Sequence, residues 1–186
     1  MKKKLSSLAV GILLFACIYF LYSDYKKHQR YETYISSQIM QSLGSVVKTM
    51  SHGNKTSDQA LTSILESKSI TMEQLNHINS VLNIYIQEIQ ATRNVANHLE
   101  MEHNEQLHSY ISSSLQKLYQ YERQLDEDNS KIELNFFKQL KDMTLEWKSV
   151  TTNYNNKQEA ELYDVNEKYW INLYNDLSKV TEENLD

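Results

Sequence analysis

The strongest hydrophobic pattern in this chain is an uncharged run that follows three lysines at the N-terminus. Residues 5–22 would form a helix of about 27 Å, close to the ~30 Å hydrocarbon core of a bilayer. Tyrosine rings, which favour the membrane interface, stand where the run gives way to charged residues. The sequence therefore predicts one membrane-spanning helix. Its apolar residues are Leu5, Leu8, Val10, Ile12, Leu13, Leu14, Phe15, Ile18, Phe20, Leu21 and Tyr22.

Two alternatives to a retained membrane helix arise within the same run. Residues 14–17, Leu-Phe-Ala-Cys, resemble the lipobox of bacterial lipoproteins, in which the cysteine is lipidated and becomes the new N-terminus. That resemblance implies a lipid anchor on Cys17. A cleaved signal peptide is the other alternative, although the apolar run is long for one and no pair of small residues follows it before Asp24. A retained helix is the preferred interpretation.

Basic residues flank the predicted span on both sides, so counting them does not set its orientation. They are Lys2, Lys3 and Lys4 before it and Lys26, Lys27 and Arg30 after it. The charged terminal amine adds to the first group, and the more positive flank of a span stays in the cytoplasm. We therefore expect a cytoplasmic N-terminus, with the body of the chain outside the cytoplasm at the cell membrane.

The rest of the chain carries apolar residues at helical spacing and few residues that break helices. It has no proline, and the last of its three glycines is Gly53. Sheets need tight turns that are usually built with these residues, so their scarcity indicates an all-α body. The helical pattern continues from the predicted span to Met50, which indicates a stalk continuous with the membrane helix. We expect it to end at residues 51–54.

Five further helices are expected beyond that stalk. Ser57 is a candidate N-cap for a short helix that ends about residues 67–69, and residues 71–74 match a capping box that opens a second helix. Two more follow a turn predicted within residues 98–109, and they end near residues 126–130 and 151–156. A last helix would carry Leu162, Val165, Tyr169, Leu173, Leu177 and Val180.

Several of these helices repeat apolar residues in the alternating spacing of a coiled-coil seam. The longest such seam comprises Leu75, Ile78, Leu82, Tyr85, Ile89, Thr92, Ala96, Leu99 and His103. The expected architecture is all-α: residues 1–23 as basic tail and membrane anchor, 24–56 as stalk and hinge, and 57–186 as an elongated helical bundle. Trp170 and Tyr174 are expected in the core, with a small exposed aromatic patch as the alternative.

Charge is distributed unevenly along the chain. Residues 24–55 have five basic and two acidic side chains, a net +3, whereas residues 56–186 have eleven basic and twenty-two acidic side chains, a net −11. An acidic body argues against nucleic acid as a partner. The basic segment suits the anionic surface of a membrane. Solvated helix faces are the simpler interpretation of both charge groups.

The richest group of possible metal ligands lies in residues 98–108. Glu100 with His103, and Glu105 with His108, have the Glu-x-x-His spacing that di-iron helical bundles use. Those sites take one such pair from each of two helices, whereas both pairs here are adjacent in sequence. We therefore prefer solvated side chains to a metal site, and we expect no cofactor.

No catalytic motif stands out in the remaining residues. The one cysteine lies in the predicted span, and neither a Gly-x-Ser-x-Gly elbow nor a glycine-rich phosphate loop is present. The expected function is protein–protein interaction by a membrane-anchored, non-enzymatic scaffold or adaptor at the cell envelope, through a protein partner or a homo-oligomer joined by helical seams. The alternatives are a metal-binding carboxylate and histidine bundle, or a ligand-sensing helical module that acts through a partner.

Overall fold

The computed structural model describes residues 2–52, 55–126, 133–154 and 158–184, with side chains from Leu13 onward apart from a few residues beside the gaps. Every regular element in this part of the chain is a helix, so the prediction of an all-α fold is confirmed. The elements are α1 (Lys2–His52), α2 (Lys55–Ser67), α3 (Met72–His98), α4 (Gln106–Asp126), α5 (Leu134–Tyr154), α6 (Glu159–Leu162) and α7 (Tyr169–Glu183).

Helix α1 is one uninterrupted helix that has two different environments. Between Leu13 and Tyr34 its large apolar and aromatic side chains are exposed, whereas Ile35 is buried. From there the residues that recur every three or four positions pack against other helices. These are Ile35, Ile39, Leu43, Val46, Val47 and Met50. We call residues 13–34 the free segment and residues 35–50 the packed segment. The expected continuity from the predicted span to Met50 is confirmed.

Five helices close into a ring, in which the packed segment of α1, α3, α4, α7 and α5 each contact the next. Thr92 of α3 donates a hydrogen bond to Ser42 of α1, and His98 lies beside Tyr31, so these two helices are antiparallel. The same reversal relates α3 to α4 and α5 to α7. Helix α2 packs on α3 and α5 at the end away from the free segment.

The indole of Trp147 links four of these helices in the core. It is fully buried on α5, and its Nε1 donates a 2.9 Å hydrogen bond to Thr181 of α7. Tyr85 of α3 and Tyr110 of α4 meet its ring edge to face at centroid distances of 6.1 and 5.9 Å. Burial raises the pKa of Tyr110 to about 12, so its phenol stays neutral among these rings.

Helix α3 begins as its sequence predicts. Thr71 accepts the backbone N–H of Gln74, and the side chain of Gln74 accepts the backbone N–H of Thr71. The predicted seam residues from Leu75 to Ala96 are buried. They face α1, α2 and α4 together, so the structure shows a bundle core in place of a two-helix coiled-coil seam.

Two local predictions are wrong. Ser57 lies inside α2, which begins at Lys55. Helix α3 ends at His98, so Leu99 and His103 do not extend its seam. Trp170 and Tyr174 are buried, at 0% and 1% exposure, so their expected place in the core is confirmed and the alternative of an exposed aromatic patch is excluded. Residues 53–54, 127–130 and 155–156, where helix ends were predicted, lie outside the described part of the chain.

The predicted last helix is two helices, α6 and α7, separated by a turn at residues 163–168. Contacts with α1 hold this turn. The backbone N–H of Val165 donates to the Ser36 hydroxyl at 2.9 Å, and the Tyr163 ring lies over Gly44. The helical spacing of Leu162 and Val165 could not reveal these contacts with α1. Their partners, Ser36 and Gly44, lie more than a hundred residues earlier in the chain.

We predict that Gly44→Ala stabilises the protein by about 0.5–1 kcal/mol, since alanine favours an interior helical position over glycine by about that amount. The added Cβ would lie 3.4 Å from Cζ of Tyr163, which is an ordinary contact. Urea denaturation of the full chain in non-ionic detergent, followed by far-UV circular dichroism, measures the change. Gly44→Leu is the matched control. Its larger side chain meets the Tyr163 ring and should destabilise, and a destabilised alanine variant would contradict the packing described.

Candidate functional site

Three of the four predicted metal ligands, Glu100, His103 and Glu105, lie on the α3–α4 turn (residues 99–105), not along a helix. Glu100 has a positive φ of 54°, and the backbone N–H of Met101 donates to the Ala96 carbonyl, which closes the end of α3. Glu100 and His103 are therefore not one helical turn apart. Glu105 precedes the first residue of α4, and His108 lies within that helix.

Glu105 is the centre of a polar cluster on this turn. Its Oε2 forms an ion pair with the guanidinium of Arg93, and its Oε1 lies 3.2 Å from Nε2 of His103. The other His103 ring nitrogen lies 3.1 Å from the Met101 carbonyl. Both nitrogens of this mostly buried ring already have protein neighbours. Within the described residues, no group of three His, Cys, Asp or Glu side chains is arranged to hold a metal ion.

The charges of this cluster shift the pKa values of two nearby groups. Partial burial acts to raise the pKa of Glu105, but the hydrogen bond and charge of Arg93, together with His103, outweigh it and lower the pKa. Burial, and then the charge of Arg93, lowers the pKa of His108. Glu105 is therefore the anion that balances Arg93, and His108 is held neutral.

The α3–α4 turn is fastened to α7 through Asn104. Its backbone N–H donates to Oδ1 of Asn175 at 2.9 Å, and its carbonyl accepts the hydroxyl of Ser178 at 3.0 Å. Its side chain accepts the backbone N–H of Gln106, the first residue of α4, and donates to Glu182. These bonds use the polar groups of the turn to join it to α7, which indicates a structural role.

Sequence reasoning missed the partners of this turn, namely Arg93, Asn175 and Ser178. Arg93 lies one helical turn before the end of α3, and the other two lie about seventy positions beyond the turn. No spacing pattern relates residues that far apart, because periodicity reports only neighbours on one helix. The charge of Arg93 beside predicted seam residue Thr92 was the available signal.

A crevice opens between α1, α2, α3 and α5. Tyr85 and Trp147 lie on its inner side, Met50 and Val81 line it, and Leu145 stands at its lip with 56% of its surface exposed. Its volume of about 40 Å³ is far below the several hundred Å³ of small-molecule sites. Burial, and then the charge of Asp58, raises the pKa of Tyr85, so the phenol remains protonated and acts as a packing group.

Among the described residues, the free segment of α1 has the densest run of exposed large apolar side chains. The eight large side chains from Leu13 to Tyr22 are each 59–78% exposed, and Cys17 is an exposed free thiol. Leu5, Leu8, Val10 and Ile12 of the predicted span lie outside the described side chains. In the part of the chain that the structure describes, no helix combines the length and apolar character needed to cross a membrane.

We predict that Glu105→Gln destabilises the protein at pH 7 by about 1 kcal/mol, a value discounted for the solvent exposure of Glu105. A carboxyl whose pKa is lowered on folding adds stability above its unfolded pKa of about 4.3, and this stability is lost as the pH falls through the folded pKa. The difference in the free energy of unfolding between wild type and variant should therefore shrink below about pH 4.3. Urea denaturation at stepped pH values measures it.

Glu133→Gln is the matched control, since Glu133 pairs with Lys117 in an exposed ion pair. We expect Glu133→Gln to change the free energy of unfolding by no more than about 0.5 kcal/mol at every pH. A Glu105→Gln difference that does not depend on pH would show that the charge of Glu105 contributes nothing to the cluster.

Comparison of the chain with protein families, with curated proteins and with solved structures gives no match. What the protein does is therefore inferred from its own residues and their geometry.

Proposed function

We propose that this chain is a single-pass membrane protein whose N-terminal helix anchors an extracytoplasmic helical bundle, and that the bundle acts by binding another protein as a scaffold or adaptor. One observation supports the proposal that this helix is a membrane anchor. Helix α1 continues without interruption from the apolar N-terminal run into the bundle core, yet its free segment packs against nothing in the described structure as far as Tyr31.

Large apolar side chains exposed in this way are more stable in an apolar environment than in water. Complete burial of an exposed Leu, Ile or Phe side chain gains about 1.5–3 kcal/mol, so the six such side chains between Leu13 and Leu21 would gain at most roughly 9–18 kcal/mol in a bilayer. A helix meets the hydrogen-bonding demand of its own backbone there. The Tyr22 to Tyr25 region, with Lys26 and Lys27 beyond it, then lies at the membrane interface.

The observation that favours a protein partner is Leu145 at the lip of the crevice. An apolar side chain beside a cleft lined by Met50, Val81 and Trp147 suits insertion of a partner's side chain. The proposed role is non-catalytic. Neither the metal-binding nor the ligand-sensing alternative gains support from the described residues, because the Glu105 carboxylate and both His103 ring nitrogens have protein neighbours and the volume of the crevice is only about 40 Å³.

We predict that the bundle lies outside the cytoplasm. Because Cys17 is the one cysteine, Cys17→Ala followed by Ser149→Cys places a single thiol on an exposed position of α5. A membrane-impermeant maleimide should label this variant in intact cells. A cysteine inserted between Met1 and Lys2 of the Cys17→Ala chain is the matched control, and it should react only after the membrane is permeabilised. The reverse labelling pattern would refute the orientation.

The Cys17→Ala chain also separates a retained helix from a lipoprotein. With a retained helix, its intact mass should differ from that of the wild type by the substitution alone. A lipoprotein would instead show a lipidated, shortened wild type and an unprocessed variant. That outcome would replace the spanning helix with a lipid anchor.

We predict that a photo-reactive amino acid at position 145 cross-links to a partner protein in native membranes at native expression. The neighbouring Glu146 is exposed but does not line the crevice, so the same amino acid at position 146 is the control. Cross-linked products that form from position 145 and are much weaker from position 146 support docking of a partner at the crevice. Only uncross-linked monomer at both positions would remove the support for an interaction role, and a product of twice the chain mass would identify a second copy as partner.

A further inference from the structure

We propose that Tyr22, Lys26 and Arg30 of the free segment form a binding surface for the phosphate groups of anionic phospholipids. We call these three residues the basic stripe. The inference rests on the proposed membrane anchor and adds to it a lipid class and the residues that select it.

The basic stripe occupies one face of α1. Lys26 follows Tyr22 by four residues and Arg30 follows Lys26 by four, so their side chains lie above one another on the helix. The Lys26 ammonium is 5.9 Å from the centre of the Tyr22 ring, a cation–π distance that keeps it on this face. Together with Tyr19, Ser23 and Lys27 they line a shallow concave surface.

The charges of the stripe are available for an external anion. Lys26 and Arg30 are exposed, and neither forms an ion pair with any carboxylate of the described residues. The acidic groups of this region lie on the other side of the helix. Asp24 is near Lys27, 3.8 Å away, and Glu32 is near His28, 3.4 Å away. The face that carries the stripe is thus positive, although the whole segment is of mixed charge.

The position of the stripe along α1 matches the depth of lipid phosphates. If the apolar run ends at Tyr22, Lys26 lies about 6 Å and Arg30 about 12 Å beyond it along the helix. The polar headgroup layer on each side of a bilayer is roughly 5–8 Å thick. The Lys26 head then lies among the phosphates, and the long Arg30 side chain can reach back to them.

The surrounding structure leaves this surface open. The bundle first buries α1 at Ile35, about 20 Å beyond Tyr22, and the Tyr31 contact with His98 lies past the stripe. The body carries a net charge of −11 over residues 56–186 and is repelled by anionic lipid. An anionic bilayer therefore attracts the stripe and repels the bundle, which favours an upright helix.

The test compares full-length proteins reconstituted in phosphatidylcholine vesicles that contain about 30% phosphatidylglycerol. Trace spin-labelled phosphatidylglycerol or phosphatidylcholine reports which lipid the protein holds. The variants are wild type, Lys26→Gln/Arg30→Gln, and the control Arg123→Gln/Lys138→Gln, which removes the same two charges from exposed positions of the bundle. Each basic side chain near the surface is expected to favour the anionic lipid about fivefold.

Wild type and control should prefer phosphatidylglycerol, and the stripe variant, which lacks two basic side chains, should lose roughly 25-fold of that preference. The wild-type preference should also weaken between 0.1 and 1 M salt, where screening shortens from about 10 to about 3 Å. No preference in wild type, or an equal loss in the control, would overturn the proposal. It would also be overturned if the stripe variant kept its lipid preference but lost the cross-linked partner, because the stripe would then serve a protein.

Alkaline carbonate extraction of the same three proteins separates this proposal from the anchor. All three should remain in the membrane pellet, since the apolar run is unchanged. If wild type itself were extracted, the membrane anchor would fail. If all three stayed membrane-bound but none preferred phosphatidylglycerol, the lipid selectivity alone would fail.

Discussion

The continuous backbone hydrogen bonding of α1 is the constraint on which the rest of this structure depends. One helix supplies both the apolar N-terminal run and the first element of the bundle, with neither glycine nor proline between Gly11 and Gly44 to interrupt it. A helix without such residues bends only gently. The direction of the bundle is therefore set by the helix that leaves the apolar run, and no flexible linker intervenes.

The bundle secures this helix by enclosing its packed segment with α3 and α5 and by closing the ring through α4 and α7. Trp147 joins four elements in the interior through one hydrogen bond and two aromatic contacts. At the end nearer the free segment, Asn104 and the Arg93–Glu105 pair fasten the α3–α4 turn. Polar groups thus fix this chain reversal, and a few polar contacts, such as Trp147 to Thr181 and Thr92 to Ser42, also join helices within the bundle.

With the proposed membrane anchor, this arrangement would hold a protein bound to the bundle at a defined distance from the membrane. The exposed length of α1 between Tyr22 and Ile35 corresponds to about 20 Å, and the acidic bundle stands beyond it. In the polar cluster that most resembled a metal site, the Glu105 carboxylate and both ring nitrogens of His103 have protein neighbours, which indicates a structural role. Among the described residues, the Leu145 crevice and the basic stripe are the surfaces proposed for recognition.

The sequence by itself determined the helical class, the continuity of α1, the Thr71 capping box and most residues of the helix faces, because these depend on neighbours within a few positions. Only the tertiary structure decided that the seams form a five-helix ring and that the last helix breaks at residues 163–168. It also paired Glu105 with Arg93 and Asn104 with α7. Such contacts join residues far apart in the chain, and the spacing of residues along one helix contains no information about them.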